Sequence, residues 1–245
     1  MNTPAHSSRL VNWTGYLAIA LLLLLPVAVL TVRAGAVEQG LLLYAISCLA
    51  ATALLILFIV LLLLPRFAPW RSTVLRSATL TLPGVILLAL LVRGGEQYPA
   101  IHDISTDLLD PPVFREAEAQ RGPDANPLEI KTETLDLQRA AYPDLATLVT
   151  PLTIESVYER ALLVAEDMGW DIYYQNLGQG VIEAVDTTAI MAFKDDIVIR
   201  VRSNASGSLL DLRSVSRVGV SDLGANARRI TEFLRRFEAL AEVPR

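Results

Sequence analysis

The stretch Asp211-Leu212-Arg213-Ser214-Val215-Ser216-Arg217-Val218-Gly219-Val220-Ser221-Asp222-Leu223-Gly224-Ala225-Asn226 decides how the second half of the chain folds. Its first half alternates. In an extended chain Asp211, Arg213, Val215 and Arg217 face one way, and Leu210, Leu212, Ser214 and Ser216 face the other. Gly219 interrupts the alternation, and Ser221-Asp222 supplies side-chain oxygens suited to capping a helix. Beyond it, Leu223, Ala227, Ile230, Leu234, Phe237 and Ala241 recur at helical spacing and make one apolar stripe. The stretch reads as a strand, a turn and an amphipathic helix.

Moving toward the N-terminus, Leu209–Val218 is the last of four strand-like runs, after Trp170–Gln175, Gly180–Val185 and Asp196–Arg202. Asn176-Leu177-Gly178 and Asn204-Ala205-Ser206-Gly207 carry turn chemistry between them. A helix precedes the strands from Thr153, with Tyr158, Ala161, Leu162, Ala165 and Met168 on one face and Gly169 as its stop. The order predicts an α+β domain over residues 153–245: an antiparallel four-stranded sheet with two helices on one face, the two-layer layout of helix-grip and TBP-like folds. Roughly 90 residues bury a modest core without disulfides. Residues 97–152 read as an extended Pro-rich tether. Tyr98 to Asp107 has room for one strand, and Pro111, Pro112, Pro123 and Pro127 withdraw donors and favour extended backbone.

The first 96 residues are of another kind. The whole chain is 53% hydrophobic and 19% charged, with a mean hydropathy of +0.43, against about 25% charged in ordinary soluble domains. Residues 1–96 hold six Arg, two Glu and no Lys or Asp, which leaves 15 basic and 24 acidic side chains, a net of −9, for the rest. Three transmembrane helices are predicted, at about 13–33, 41–64 and 74–92. No charge lies between Arg9 and Arg33, or between Glu38 and Arg66, and both spans exceed the ~20 residues a crossing needs. The third charge-free run, Ser77–Val92, is shorter, roughly 24 Å of helix, but Arg76 and Arg93 can snorkel at its ends. Pro83-Gly84 predicts a kink there, and a re-entrant or interfacial helix is the alternative. A cleaved signal peptide ending at Ala34-Gly35-Ala36 fits less well, because the apolar core is too long and Arg33 adjoins the site.

The connector holding Arg66, Arg71 and Arg76 marks the cytoplasmic side. Three crossings then deliver the acidic domain to the periplasmic face of the inner membrane. Trp13 and Trp70 suit interfacial anchoring.

Candidate chemistry is sparse. Cys48 is the single cysteine, so the sequence implies no disulfide and no cysteine metal site. No Gly-rich phosphate loop or zinc spacing occurs, and no cofactor or metal is implied. Of the two histidines, His6 is in the N-terminal tail. His102 has Asp103, Ser105 and Asp107 nearby but no nucleophile elbow. Asp195-Asp196 on a strand point to opposite faces and make no dyad. The acidic balance disfavours nucleic acid. The pairs Arg228-Arg229 and Arg235-Arg236 read as the solvated side of the last helix, with Glu232 four residues before Arg236.

If Asp196–Arg202 and Leu209–Val218 pair as a hairpin, one sheet face gathers Arg200, Arg202, Asp211, Arg213 and Arg217. That face is either an ion-paired, solvated surface or an arginine-lined patch for a carboxylate, phosphate or anionic headgroup, assisted by the last helix's N-terminus. The candidate binding residues are Arg200, Arg213, Arg217, Ser221, Asp222 and Asn226; no catalytic residue is named.

Two segments carry a family resemblance. One is Ile101-His102-Asp103-Ile104-Ser105-Thr106-Asp107, followed by Pro111-Pro112 and Phe114. The other runs through Asp195-Asp196-Ile197-Val198-Ile199-Arg200 and the Asp211–Asn226 stretch to Arg229-Ile230, with an unbroken Arg-Ser-x-Ser-Arg-x-Gly-x-Ser-Asp-x-Gly-x-Asn core. Over roughly residues 98–240 the chain resembles the bacterial family catalogued as domain of unknown function 1499. The resemblance implies an envelope protein with membrane helices ahead of the domain, and implies no substrate, cofactor or catalytic residue. The expected function is a membrane-anchored envelope module, its partners the lipid bilayer and a protein, peptide or anionic lipid held by the arginine face. The alternative is a membrane-surface hydrolase or transferase using Asp211, Asp222 or His102 as acid/base groups.

Overall fold

The structure, a computed structural model, describes residues 8–240, which divide into two compact units: the chain up to Gly94 together with Ile190–Ala192, and the chain from Gly95 on without those three residues. The first unit is helical: α1 (Arg9–Arg33), α2 (Val37–Leu63), a 3-10 turn over Pro65–Trp70, and α3 (Arg71–Gln97). All three α-helices are long and apolar enough to cross a membrane. The third is longer than the 74–92 expected and continues through Pro83. A charged residue ends an apolar run but not a helix, so Arg71, Arg93 and Glu96 remain helical.

Small residues let the helices approach. A Cβ on Gly84 would lie 2.8 Å from the Ala51 Cβ, and one on Gly40 would lie 2.5 Å from Val32 Cγ2; close backbone approach of this kind is a common basis of helix packing in lipid. Buried hydroxyls stay within their own helices: Thr14 donates to Leu10 O at 2.9 Å, Ser47 to Leu43 O at 2.7 Å and Thr81 to Ala78 O at 2.7 Å. Cys48 is a buried free thiol in α2.

The second unit contains β1 (Asp103–Ser105), α4 (Ala117–Gln120), α5 (Thr132–Ala141), β2 (Leu148–Thr150), α6 (Ile154–Asp167), β3 (Asp171–Asn176), β4 (Val181–Thr187), β5 (Lys194–Asn204), β6 (Gly207–Ser216) and α7 (Ala225–Ala239). Its antiparallel sheet has six strands rather than the expected four. The order is β1-β6-β5-β4-β3, and β2 also pairs with β6. β5 occupies one side of β6 along its whole length; β2 pairs with Ser208–Leu210 and β1 with Arg213–Val215. Two three-residue strands therefore close the other side in tandem. Gln138 on α5 then covers β1: its Oε1 accepts from Ser105 N at 3.0 Å and its Nε2 donates to Ser105 O at 2.5 Å. One side-chain amide thus stands in for the next strand at an edge that would otherwise invite pairing.

α6 and α7 pack on one face of the sheet. Thr153 caps α6, its hydroxyl accepting from Ser156 N at 3.3 Å. Ile197, Ile199, Val201, Leu210 and Leu212 from the sheet meet Val157, Ala161, Ile230 and Phe233 in a single core. Trp170 stacks on Phe233 with centroids 5.3 Å apart. Phe233 belongs to the stripe of α7 as much as Ile230 does, while Leu234 is only partly buried and Ala241 lies outside the described residues.

The opposite face is the main departure from expectation. It is not solvated: Asp196, Val198 and Asp211 are 0% exposed and Arg213 is 2% exposed. The cover is the Pro-rich segment itself, with Pro111, Pro112 and Ala117 buried. Extended backbone without donors can lie flat across side chains, so the prolines that suggested a tether shape a strap.

Candidate functional site

Strand register sorts the polar side chains before any contact is considered. Arg200 pairs with Asp211 and Val198 with Arg213 across β5 and β6, while Val198 pairs with Glu183 across β4. Those positions share the strap side, and Asp195 and Ser214 take the helix side. Asp195 and Asp196 do face opposite ways.

Every arginine on the strap side meets a carboxylate. Arg213 donates from Nε to Asp103 Oδ1 at 2.9 Å and from Nη2 to Asp103 Oδ2 at 2.7 Å. It also reaches Pro112 O and Leu128 O, and its guanidinium lies 5.5 Å from the Phe114 ring centroid. Arg217 grips Asp196 with Nε at 3.0 Å and Nη2 at 2.7 Å, and Arg121 of the strap takes the same carboxylate at 2.5 Å. Burial pushes the Arg121 guanidinium below its ordinary pKa; Asp196 opposes this and neighbouring Arg217 adds to it.

Arg200 and Arg202 share three aspartates: Asp211 at 3.1 and 2.8 Å, Asp107 at 3.1 and 3.0 Å, Asp110 at 3.0 and 3.1 Å. Thr106 and Thr147 hydroxyls complete the Asp211 shell. Glu183, fully buried, accepts from the backbone N–H groups of Arg115 and Glu116, ahead of α4. Beside it, burial and the charges of Asp196 and Glu183 drive the Tyr173 phenol far above its usual range.

The other three candidates lie at the β6–α7 turn. Asn226 is fully buried and donates to His102 O at 2.9 Å and Ser216 Oγ at 3.0 Å, while its Oδ1 accepts from Ser214 Oγ at 2.7 Å and from Arg229. Asp222 accepts from Gly224 N and Asn226 N, both at 2.8 Å; the N-cap position of α7 itself is Gly224, not Ser221 or Asp222 as expected, so Asp222 reaches one first-turn amide from just outside the helix. Ser221 donates to Pro99 O at 3.1 Å and accepts from Leu223 N at 3.2 Å. The six residues do not converge on one cradle. Arg200, Arg213 and Arg217 anchor the strap at three places, and Ser221, Asp222 and Asn226 fasten the turn.

Arg229 corrects the expectation of a solvated pair. It is 8% exposed and bridges Asp186 at 2.7 Å and Asp195 at 2.5 Å. Arg228, Arg235 and Arg236 do lie outward, with Glu232 2.6 Å from Arg236. The hydrogen bonds from Arg235 and Arg236 hold the Glu232 carboxyl at about 2. Sequence reasoning missed Asp103, Arg121, Gln138 and Glu183 as partners. The sheet-facing arginines were the available signal, since buried cations require acids or carbonyls opposite them.

The acid/base candidates do not meet. Asp211 is sealed, Asp222 is occupied by the N–H groups of Gly224 and Asn226, and the His102 ring nitrogen Nδ1 lies 3.4 Å from Val220 O. Among the described residues no cluster of three or more His, Cys, Asp or Glu is arranged to hold a metal. A groove of about 390 Å³ does open between α7 and the Ala141–Leu145 turn, lined by Tyr142, Leu145, Ala227, Thr231 and Leu234, with Asp144, Arg235 and Glu238 on its rim.

No curated protein matches the chain. A family model described as "Protein of unknown function (DUF1499)" matches residues 103–237. That span runs from the first residue of β1 into the last turns of α7 and takes in the strap, every strand and the Arg213–Asn226 core. On that match over more than half its length, the chain belongs to the DUF1499 family of proteins of unknown function.

Proposed function

We propose that this chain is a membrane-anchored module of the bacterial cell envelope that holds a protein or peptide partner and performs no turnover. The observation that carries this reading is the occupancy of the arginine face. Arg200, Arg213 and Arg217 already bind carboxylates of the same chain, so an anionic ligand there would have to displace the strap from several buried charge pairs at once. The groove beside α7 is the better docking place. Its floor is Ala227, Leu234 and Leu145, and its rim mixes Arg235 with Asp144 and Glu238. An apolar floor with charges of both signs suits a polypeptide; an anionic headgroup would meet two carboxylates.

In this reading α1, α2 and α3 each cross the inner membrane, and an odd number of crossings places the domain in the periplasm. The membrane-surface hydrolase reading is weaker because Asp211 is fully buried among arginines and threonines, Asp222 is taken up by backbone N–H groups, and none of Asp211, Asp222 and His102 lines the groove beside α7.

A photoreactive residue at Thr231 in the full chain, activated in living cells, tests the docking claim. A discrete protein adduct is expected that disappears with Leu234→Glu and is not formed from a photoreactive residue at Ser206. Lipid adducts alone, or an adduct indifferent to Leu234→Glu, would refute it. A reporter enzyme fused after Arg245 tests the topology: it must be active only when exported.

A further inference from the structure

The groove beside α7 continues past the part described above. A second lobe of about 290 Å³ is lined by Tyr98, Gly224, Arg228 and Glu232, and the two lobes share Tyr142, Ala227 and Thr231. All of these residues belong to the second unit. On α7 and the residue before it the lining falls at Gly224, Ala227, Thr231, Leu234 and Glu238, steps of three and four that keep to one side of a helix. That side is roughly 21 Å long, room for about six residues of extended chain. Its far end is tight: a Cβ on Gly224 would fall 2.6 Å from the Tyr98 ring.

The charges along the groove are unevenly spent. Arg235 holds Glu232 at 2.7 Å, and Arg236 holds it at 2.6 Å. Arg228 donates to Leu223 O at 3.0 Å and lies 5.4 Å from the Tyr98 ring. Asp144 and Glu238 are both exposed on the rim of the first lobe, and neither has an ion pair among the described residues. The uncompensated charge at the Leu234 end is therefore negative. Beside it Leu145 and Leu234 are only partly buried. On the wall common to both lobes the Tyr142 hydroxyl is buried without a hydrogen-bond partner. Burial, with Asp222 and Tyr98 nearby, raises its pKa, so the phenol keeps a proton to donate.

We infer that the segment docked in this groove is an extended basic peptide, with a lysine or arginine next to a large apolar residue. The cation sits at Asp144 and Glu238, the apolar side chain lies on Leu145 and Leu234, and a backbone carbonyl takes the Tyr142 proton. The inference rests on the docking reading above and adds the chemistry of what docks. Charge complementarity sets the sign, because Arg235 is matched within the chain and the two rim carboxylates are not. Length sets the class: the groove runs on from the acidic end through Thr231 and Ala227 to Gly224, farther than a single amine headgroup reaches.

The test selects displayed random heptapeptides on the full chain in nanodiscs of phosphatidylcholine, a lipid without net charge. Parallel selections use Leu234→Glu and the double variant Asp144→Asn with Glu238→Gln. If Leu234→Glu does not fold by circular dichroism, Thr231→Glu takes its place. The parent should enrich peptides that pair Lys or Arg with a neighbouring apolar residue, and the double variant should not. A synthetic copy of an enriched peptide should bind the double variant roughly fivefold more weakly by fluorescence anisotropy, the worth of two exposed ion pairs. Peptides that need Leu234 but carry no basic bias would overturn the inference and leave the docking reading standing. A basic bias that survives in the double variant would also overturn it, as general attraction to an acidic domain. If the parent enriches nothing over Leu234→Glu, the docking reading falls and the inference falls with it.

Discussion

Asp103 and Arg213 form a two-pronged ion pair across adjacent strands, with Arg213 2% exposed and both contacts under 3 Å. Asp103 begins β1 and Arg213 lies in β6, so the pair ties the entry strand to the sheet beside one of the strap's three anchor points. Removing one partner from a buried pair typically costs about 3–5 kcal/mol because the other charge is left uncompensated. Arg213→Ala and Asp103→Ala should each lower the stability of β6 by that order, read from hydrogen exchange of the β6 amides in the full chain. Arg213→Met combined with Asp103→Leu should cost clearly less than the two alanine changes summed. Additive costs would mean that the two residues do not act as a pair.

Asp196 presents a different arithmetic, because two guanidiniums share it. Arg217→Ala leaves Arg121 in place and should cost about 1.5–3 kcal/mol, the worth of charge-assisted hydrogen bonds. Asp196→Ala leaves two largely buried arginines facing each other and should be the worse change, by at least the same amount again. Equal effects of the two substitutions would show that Arg121 contributes nothing to the cluster.

These clusters mark where sequence reasoning stops. The charge-free runs identified three helices, and alternation placed Arg200, Arg213 and Arg217 on one face and Asp195 and Asp196 on opposite faces. Periodicity needs length to show, however. β1 and β2 have three residues each and exist because β6 has an edge to fill, a property of the assembled sheet. Gln138 is fully buried, yet a glutamine in a polar helix gives no sign that it will bond a strand edge. Pro111 and Pro112 lie in a stretch without helix or strand, and nothing in their sequence says what that stretch would lie against. The covered face was thus unreadable until its cover was seen. Arg229 failed for a related reason: adjacent arginines on a helix look alike, and only the sheet's aspartates distinguish the inward one.

Two aspartates should move stability with pH in opposite directions. Burial pushes Asp107 up, but the N–H groups of Asp110 and Leu109, with Arg202 and Arg200, outweigh it and hold the carboxyl below its ordinary value. Its contribution is therefore present above the unfolded pKa of about 4 and is lost as pH falls through the lower folded value. Asp222 is the reverse. Burial, aided by the charge of Asp195, raises it despite bonds from the Asn226 and Gly224 N–H groups. Its contribution is present below the unfolded pKa and fades as pH rises through the folded one. Melting temperatures from pH 3 to 7 should show Asp107→Asn losing ground to the parent as pH rises and Asp222→Asn gaining on it. Parallel curves for both would remove the linkage.

In the helical unit the decisive contact is Gly84 against Ala51, where an added Cβ would fall 2.8 Å from another. Neither helix can yield locally, because both contacts are backbone or Cβ positions on regular helices. Substituting Gly84→Val therefore has to part α2 and α3 or strain one of them, and overpacking of this kind costs about 1–3 kcal/mol. Gly84→Ala places one methyl where Gly84→Val places three carbons, so its effect should be smaller and of the same sign. Gly95, with nothing within 4 Å of a built Cβ, is the control: Gly95→Ala should leave the helices unchanged, or slightly firmer through better helix propensity. Melting of the purified protein in detergent, followed by the loss of helical circular dichroism, ranks the three. If Gly84→Val melts with the parent, the approach of α2 to α3 is not what holds the bundle together.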